Sequence, residues 1–78
     1  MKIELYDVVE LTEDLNPKIT EGMQGTVIAK YYDDIFEVEF VDGNGYTISY
    51  MDQATFKVAA NQIKKVSSGP LQRGKRGD

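Results

Sequence analysis

Three pairs of acidic residues are the side chains whose spacing suggests chemistry. They are Glu13 with Asp14, Asp33 with Asp34, and Glu37 with Glu39. Paired carboxylates can act as general acid and base, or bind Ca²⁺ or Mg²⁺. The chain has no histidine and no cysteine, however, so it lacks the commonest general base and the thiol nucleophile. We therefore predict no enzyme, no catalytic residue, no metal site and no cofactor, and interpret these acids as solvated charges or as binding residues.

The acidic charge is concentrated in residues 1–66. This part holds six lysines and twelve Asp or Glu residues, a net charge of −6, whereas residues 67–78 hold three basic residues and one acid, a net charge of +2. An acidic body repels phosphate backbones and anionic membranes, because affinity for both comes from Lys and Arg. We expect a basic protein as the partner, with no role for nucleic acid or a membrane.

The elements that must position these acids are short β-prone runs. They are expected near 6–12, 25–31, 35–41, 46–51, 55–58 and 64–66. Phe36, Val38 and Phe40 alternate with the two glutamates, which predicts an inward apolar face and an outward acidic one. Residues 42–45 contain an Asp-Gly and an Asn-Gly pair, which predicts a type I′ hairpin that joins strand 35–41 to strand 46–51. The segment 59–63 suits one 3₁₀ turn.

These elements predict an all-β fold, a small SH3-like barrel of five or six short antiparallel strands with a single 3₁₀ turn before the last strand. The barrel is expected to occupy 1–66 as one domain. Residues 67–78, with three glycines and a proline, are expected to form a flexible basic tail, which is either natural or an added segment. Exposed edge strands would also allow a homodimer.

The chain has five tyrosines, a residue type enriched at binding hot spots. Alternation predicts that Tyr31, Tyr46 and Tyr50 point inward and Tyr32 outward, and at least two of the five are candidates for an exposed patch beside the acidic loops. The patch is expected between the long first loop and the turn at 31–35. The candidate partner-binding residues are Glu13, Asp14, Tyr32, Asp33, Asp34 and Tyr50.

Four segments carry a resemblance to a known family. They are LYDVVELTEDL at 5–15, GMQGTV at 22–27, FEVEFVD at 36–42 and QIKKV at 62–66. Together they resemble a family of small bacterial proteins catalogued as domain of unknown function 4926, across residues 4–66. The chain departs from the family pattern at Asn16 and at 18–20, around the loop proline. The resemblance implies the barrel and, because some members are encoded beside toxin-like proteins, an antitoxin or immunity role.

Two functions follow as hypotheses. The first is a non-catalytic binding module that covers a basic surface on its partner. The alternative is an accessory subunit of a larger complex, similar to the small SH3-like subunits of photosynthetic or other electron-transfer assemblies. Apolar runs of four residues or fewer and a start of mixed charge predict a cytoplasmic protein, since a membrane span needs about 20 apolar residues.

Overall fold

The alternating segment Ile35–Val41 forms a strand, β3, in the computed structural model, which describes residues 2–68. Phe36, Val38 and Phe40 are buried, and the glutamates between them lie on the opposite face. Successive side chains of a strand point to opposite faces of the sheet, so the pattern alone fixes this orientation. The inward prediction for the three apolar residues is confirmed.

Five strands form one open antiparallel sheet in the order β4-β3-β2-β1-β5. The other elements are β1 (Val8–Leu11), β2 (Gln24–Lys30), β4 (Phe56–Ala59), the 3₁₀ turn (Ala60–Gln62) and β5 (Ile63–Ser67). The predicted all-β fold with five or six short antiparallel strands and a single 3₁₀ turn before the last strand is confirmed. β4 and β5 are the two edges of the sheet, and the 3₁₀ turn connects one edge to the other.

The core draws apolar side chains from every strand and from the connecting segments. Its buried members are Ile3, Val9, Leu11, Ile19, Val27, Phe36, Val38, Phe40, Ile48, Phe56, Val58 and Ile63. The rings of Phe40 and Phe56 lie 6.4 Å apart between centroids. Each such side chain contributes about 1.5–3 kcal/mol when it is fully buried. The long first loop and the segment after β3 are therefore anchored, since each supplies one isoleucine.

In the middle of β2, the side chains switch from one face of the sheet to the other. Val27 is buried, but the register with β3 shifts between Val27 and Ala29, so that Ala29 lies opposite Glu37. A bulge of this kind adds one residue, here Ile28, and reverses the faces of the residues that follow. The prediction that Tyr31 points inward is therefore wrong, and Tyr31 lies on the outer face.

The predicted strand at 46–51 does not form. Thr47 makes a single bridge to Val41, and the Ile48 N–H donates to the Phe40 carbonyl at 2.9 Å. Beyond that point the chain leaves β3, and Tyr50 instead exchanges backbone hydrogen bonds with Gln53. The segment still runs beside the end of β3 and buries Ile48, so part of the predicted pairing survives.

The turn at 42–45 explains why the hairpin is wider than predicted. The Asp42 carboxylate accepts the Asn44 and Tyr46 N–H groups at 2.8 and 3.0 Å, and its carbonyl accepts the Gly45 N–H at 3.0 Å. Positive φ is found at Gly45 (+87°) and not at Gly43 or Asn44, whereas a type I′ turn requires it at both central residues. The aspartate side chain thus takes N–H groups that a regular ladder would use.

The first and the last strand of the chain also differ from their predicted bounds. β1 begins at Val8, because Tyr6 has a left-handed backbone (φ +70°) and the buried Asp7 carboxylate accepts the Glu4 N–H at 2.8 Å. β5 extends through Ser67, one residue into the predicted tail. Residues 69–78, the remainder of that tail, lie outside the described residues.

Candidate protein-binding site

The 3₁₀ turn connects the two acidic loops. The Ala60 N–H donates to the Asp34 carbonyl at 2.8 Å, and the Gln62 side-chain amide donates to the Glu13 carboxylate at 3.1 Å. The Thr12 N–H also donates to the Gln62 carbonyl at 2.8 Å. Glu13 and Asp34 therefore lie at opposite ends of one three-residue turn. We call the four exposed acids of these loops, Glu13, Asp14, Asp33 and Asp34, the acidic end.

The first loop is ordered by its own side chains. The Asp14 carboxylate accepts the Glu21 N–H at 2.9 Å, so the loop closes across seven residues. The Asn16 side-chain oxygen accepts the Lys18 and Ile19 N–H groups at 2.9 and 2.8 Å. Asparagine and aspartate favour such turns because a short side chain can bond to backbone groups nearby. With Ile19 in the core, the loop presents its acids from a fixed backbone.

The turn between β2 and β3 presents the other two acids. The Tyr31 N–H donates to the Ile35 carbonyl at 2.9 Å, which closes the turn. Residues 32–34 are exposed, and Tyr32 is 73% exposed. The prediction that Tyr32 points outward is confirmed. Tyr32 directly precedes Asp33 and Asp34 in the sequence.

The acids of the acidic end form no ion pair within residues 2–68. The four pairs found there join Lys2 and Lys30 to Glu4, Lys64 to Glu10 and Lys65 to Asp7. These four lysines thus neutralise other carboxylates, and the carboxylates of the acidic end are exposed to solvent. Such a surface attracts a basic partner over roughly one Debye length, about 8 Å at physiological salt.

Tyr50 is not brought to the acidic end by any hydrogen bond among the described residues. It is half-buried against the core, and its backbone bonds to Gln53 in the segment after the turn at 42–45. Tyr31 and Tyr46, predicted to point inward, are 47% and 72% exposed. The bulge in β2 turns Tyr31 outward, and the missing strand leaves Tyr46 in a loop.

A polar cluster on the outer face was not predicted. Tyr31 and Thr55 both donate to the Glu37 carboxylate, and the Lys57 ammonium lies 5.0 Å from the centre of the Tyr31 ring. The hydrogen bonds from Thr55 and then Tyr31 hold the pKa of Glu37 below its ordinary value, and the same bond to Glu37 raises the pKa of Tyr31. Glu37 is therefore charged and Tyr31 is neutral at pH 7. We interpret the hydrogen bond between them as a structural contact.

The feature from which this cluster could have been predicted is the pairing of Glu37 in β3 with Lys57 in β4. Opposite charges at facing positions attract, but the facing positions are known only once the register is known. Glu39 makes a similar contact, accepting the Thr47 hydroxyl at 2.5 Å. The expectation that Glu37 and Glu39 simply face water is thus incomplete, since threonines from the following segments contact both.

Two further observations describe what the site region contains. Within residues 2–68, no group of three or more acidic side chains is arranged to hold a metal ion. No helix in this described part has the length and apolar composition to cross a bilayer. The acidic end itself presents four exposed carboxylates and the exposed ring of Tyr32.

The comparison with family models gives one match. The model described as domain of unknown function (DUF4926) matches residues 5–65, which include strands β1 to β4, the first three residues of β5 and both acidic loops. The chain belongs to this family. No curated protein and no solved structure matches the chain significantly. Membership of DUF4926 agrees with the resemblance found in the sequence, and it assigns no activity.

Proposed function

We propose that this DUF4926 chain is a non-catalytic protein-binding module whose acidic end covers a basic surface of a partner protein. The observation that supports this most strongly is the 3₁₀ turn, which holds two loops together through Asp34 at one end and Glu13 at the other. Carboxylates from separate loops are thereby presented as one surface. A fixed array of like charges binds a complementary array without the cost of ordering the loops.

Tyr32 gives the proposed surface an apolar contact. A tyrosine offers a large rigid area at low conformational cost, and exposed charge pairs alone contribute only about 0.2–1 kcal/mol each. Asp33, Asp34 and Tyr32 would therefore act together, with the acids directing the approach and the ring adding contact area. An antitoxin or immunity role is the form we favour, in which the partner's basic surface is one that binds phosphate.

The cellular compartment of the chain is part of the same proposal. The lack of cysteine means that the fold needs no oxidising compartment, and the family resemblance is to bacterial proteins. We accordingly place the chain in the bacterial cytoplasm. Fractionation of the native host with an antibody against the chain tests this, and recovery from the periplasm or the membrane would contradict it.

Two variants with equal net charge test the binding surface. The first neutralises three residues of the acidic end (Glu13→Gln, Asp33→Asn and Asp34→Asn), and the control neutralises three acids elsewhere (Glu10→Gln, Glu21→Gln and Asp52→Asn). Both carry three fewer negative charges. The partner is captured from the native host, identified by mass spectrometry and purified, and its affinity is measured by calorimetry at two salt concentrations.

We expect the acidic-end variant to bind about tenfold more weakly and with less salt dependence, because three charge pairs at about 0.5 kcal/mol each are lost. The control should bind within about twofold of the unmodified chain. Equal losses in both variants would show that only overall charge matters. Recovery of many co-purifying subunits, with no single basic protein among them, would favour the accessory-subunit alternative instead.

A further inference from the structure

A cleft lies beside the acidic end. It is lined by Lys2, Ile3, Lys30, Asp33, Phe36 and Ala60, and its volume is about 250 Å³. Ile3 and Phe36 are buried core residues, and Ala60 packs against the same core, so these three give the cleft an apolar floor. Sites for small molecules and cofactors usually enclose about 300–1,000 Å³. The cleft lies just below this range, and its volume admits an apolar side chain.

The charges around the cleft cancel. The ammonium groups of Lys2 and Lys30 both lie 3.8 Å from the Glu4 carboxylate, one on each oxygen. The two lysine charges of the lining are thus balanced by Asp33 in the lining and by Glu4 next to it. Lys30 belongs to this lining because the bulge in β2 places it opposite Phe36. Balanced charge around an apolar floor favours an uncharged side chain, since a charged one would lose hydration without gaining a free counter-ion.

The cleft and the acidic end share their boundary. Asp33 belongs to both, and Ala60 on the cleft floor donates its N–H to the carbonyl of the neighbouring Asp34. A partner segment that placed one side chain in the cleft would therefore lay the next residues along the exposed carboxylates. Those residues would be basic, by the same charge complementarity that supports the proposed function.

We propose that the cleft beside the 3₁₀ turn receives a single apolar side chain, such as leucine, from an extended segment of the partner whose neighbouring residues are lysine or arginine. This inference rests on the proposed function and adds the class of segment that the site recognises. Because burying a leucine side chain is worth about tenfold or more in affinity, the apolar residue should dominate selectivity while the basic residues provide the salt-dependent part.

Labelled five-residue peptides test this by fluorescence anisotropy. One has four lysines around a central leucine, the second has a central glycine, and the third has the central leucine with serines in place of the lysines. Ala60→Leu places a larger apolar side chain on the cleft floor, and the matched control Ala54→Leu adds the same side chain at an exposed position in the segment 47–55. Far-UV circular dichroism establishes that both variants fold.

We expect the lysine peptide with leucine to bind about tenfold more tightly than the one with glycine, both to the unmodified chain and to Ala54→Leu. Ala60→Leu should remove this difference and keep the salt-dependent binding of both lysine peptides. If Ala60→Leu does not fold, amide shifts of Ile3, Phe36 and Ala60 in the unmodified chain decide the question. Shifts caused by the leucine peptides and not by the glycine peptide would support the cleft.

The remaining outcomes separate the two proposals. Equal binding of the leucine and glycine peptides, without shifts at the cleft, would overturn the inference and leave the acidic end as a charge-binding surface. Binding of the serine peptide as tightly as the lysine peptide would support the cleft and overturn the proposed function. Absence of binding by all three peptides would overturn both.

Discussion

Glu37 shows how a single residue on the outer face ties three strands together. Its carboxylate accepts hydroxyl hydrogen bonds from Tyr31, which follows β2, and from Thr55, which precedes β4, while Glu37 itself lies in β3. Hydrogen bonds to the charged form of an acid lower its pKa. The contact is therefore strongest when Glu37 is ionised and weakens on protonation.

Removing the Thr55 hydroxyl should raise the pKa of Glu37 toward its ordinary value, because that hydrogen bond is the largest cause of the lowering. The folded-state pKa of Glu37 lies below its unfolded value, so its contribution to stability is present above the unfolded pKa and disappears as the pH falls through the folded pKa. Thr55→Val should thus lose less stability than the unmodified chain on acidification. Carboxyl ¹³C titration by NMR, with urea unfolding at neutral and acidic pH, measures both effects.

The control is Thr47→Val, which removes the same hydroxyl from the neighbouring Glu39. It should leave the titration of Glu37 unchanged. A Glu37 pKa that is the same in Thr55→Val and in the unmodified chain would mean that the hydroxyl does not bond to the charged carboxylate.

Gly25 is the residue where the sheet has no room for a side chain. A Cβ atom there would lie 2.6 Å from the Glu39 carbonyl oxygen and 2.6 Å from a methyl carbon of Val38. The carbonyl is part of the backbone of β3 and cannot rotate away. Gly43, in contrast, has nothing within 4 Å of such a Cβ and no positive φ.

Gly25→Ala should therefore destabilise the fold by about 2 kcal/mol or more, in the range found for overpacked cores. Gly43→Ala should change stability by less than about 0.5 kcal/mol. Both substitutions reduce the entropy of the unfolded chain by a similar amount. The difference between their free energies of unfolding therefore measures the steric clash at position 25. The free energies come from urea unfolding, and equal values for the two variants would contradict the close approach of β2 and β3.

At the scale of the element, the 3₁₀ turn matters most, and Gln62 is its main contact residue. The Gln62 side chain accepts the Ala59 N–H at 2.8 Å and donates to Glu13. One amide thus stabilises the start of the turn and holds the first loop beside it. Few side chains can do both, because the amide group combines a donor and an acceptor.

Gln62→Met keeps the length of the side chain and removes both hydrogen bonds. We expect a loss of about 1 kcal/mol of stability, faster hydrogen exchange at the Ala59 amide, and greater mobility of the first loop. Gln53→Met, at an exposed position, is the control and should alter none of these three quantities. Unchanged exchange at Ala59 in Gln62→Met would show that the turn forms without its side-chain bond.

The sequence predicted the elements whose signals are local. The alternation in β3 and the 3₁₀ turn before β5 were recoverable because each depends on neighbouring residues. The bulge at Ile28 was not, since a bulge is defined by pairing with another strand. The strand expected at 46–51 failed because the turn sequence fits two geometries, and the Asp42 side chain favours the wider one.

The candidate site was partly predictable for the same reason. The exposure of the acids and of Tyr32 follows from their loop positions, and the structure agrees. The contact that joins the loops could not be predicted, because Gln62 and Glu13 are 49 residues apart in the chain. The position of Tyr50 could not be predicted either, since the prediction assumed a strand at 46–51 that does not form.

For the whole molecule, charge is the property that bears on function. The chain carries a formal net charge of −4, and the ion pairs among residues 2–68 involve none of the four acids of the acidic end. The proposed function therefore predicts that a partner of opposite charge binds at that end in preference to the outer face, where Lys57 accompanies Glu37. The sheet supports the two acidic loops, and the 3₁₀ turn holds them beside each other.

A ¹⁵N-NMR titration with a lysine-rich peptide measures most directly whether the two acidic loops form one surface. We predict that amide shifts appear together at residues 12–14, 32–34 and 60–62, with one common affinity that falls as salt is added. Shifts confined to one of the two loops, or centred on residues 43–53, would contradict a single binding surface built around the 3₁₀ turn.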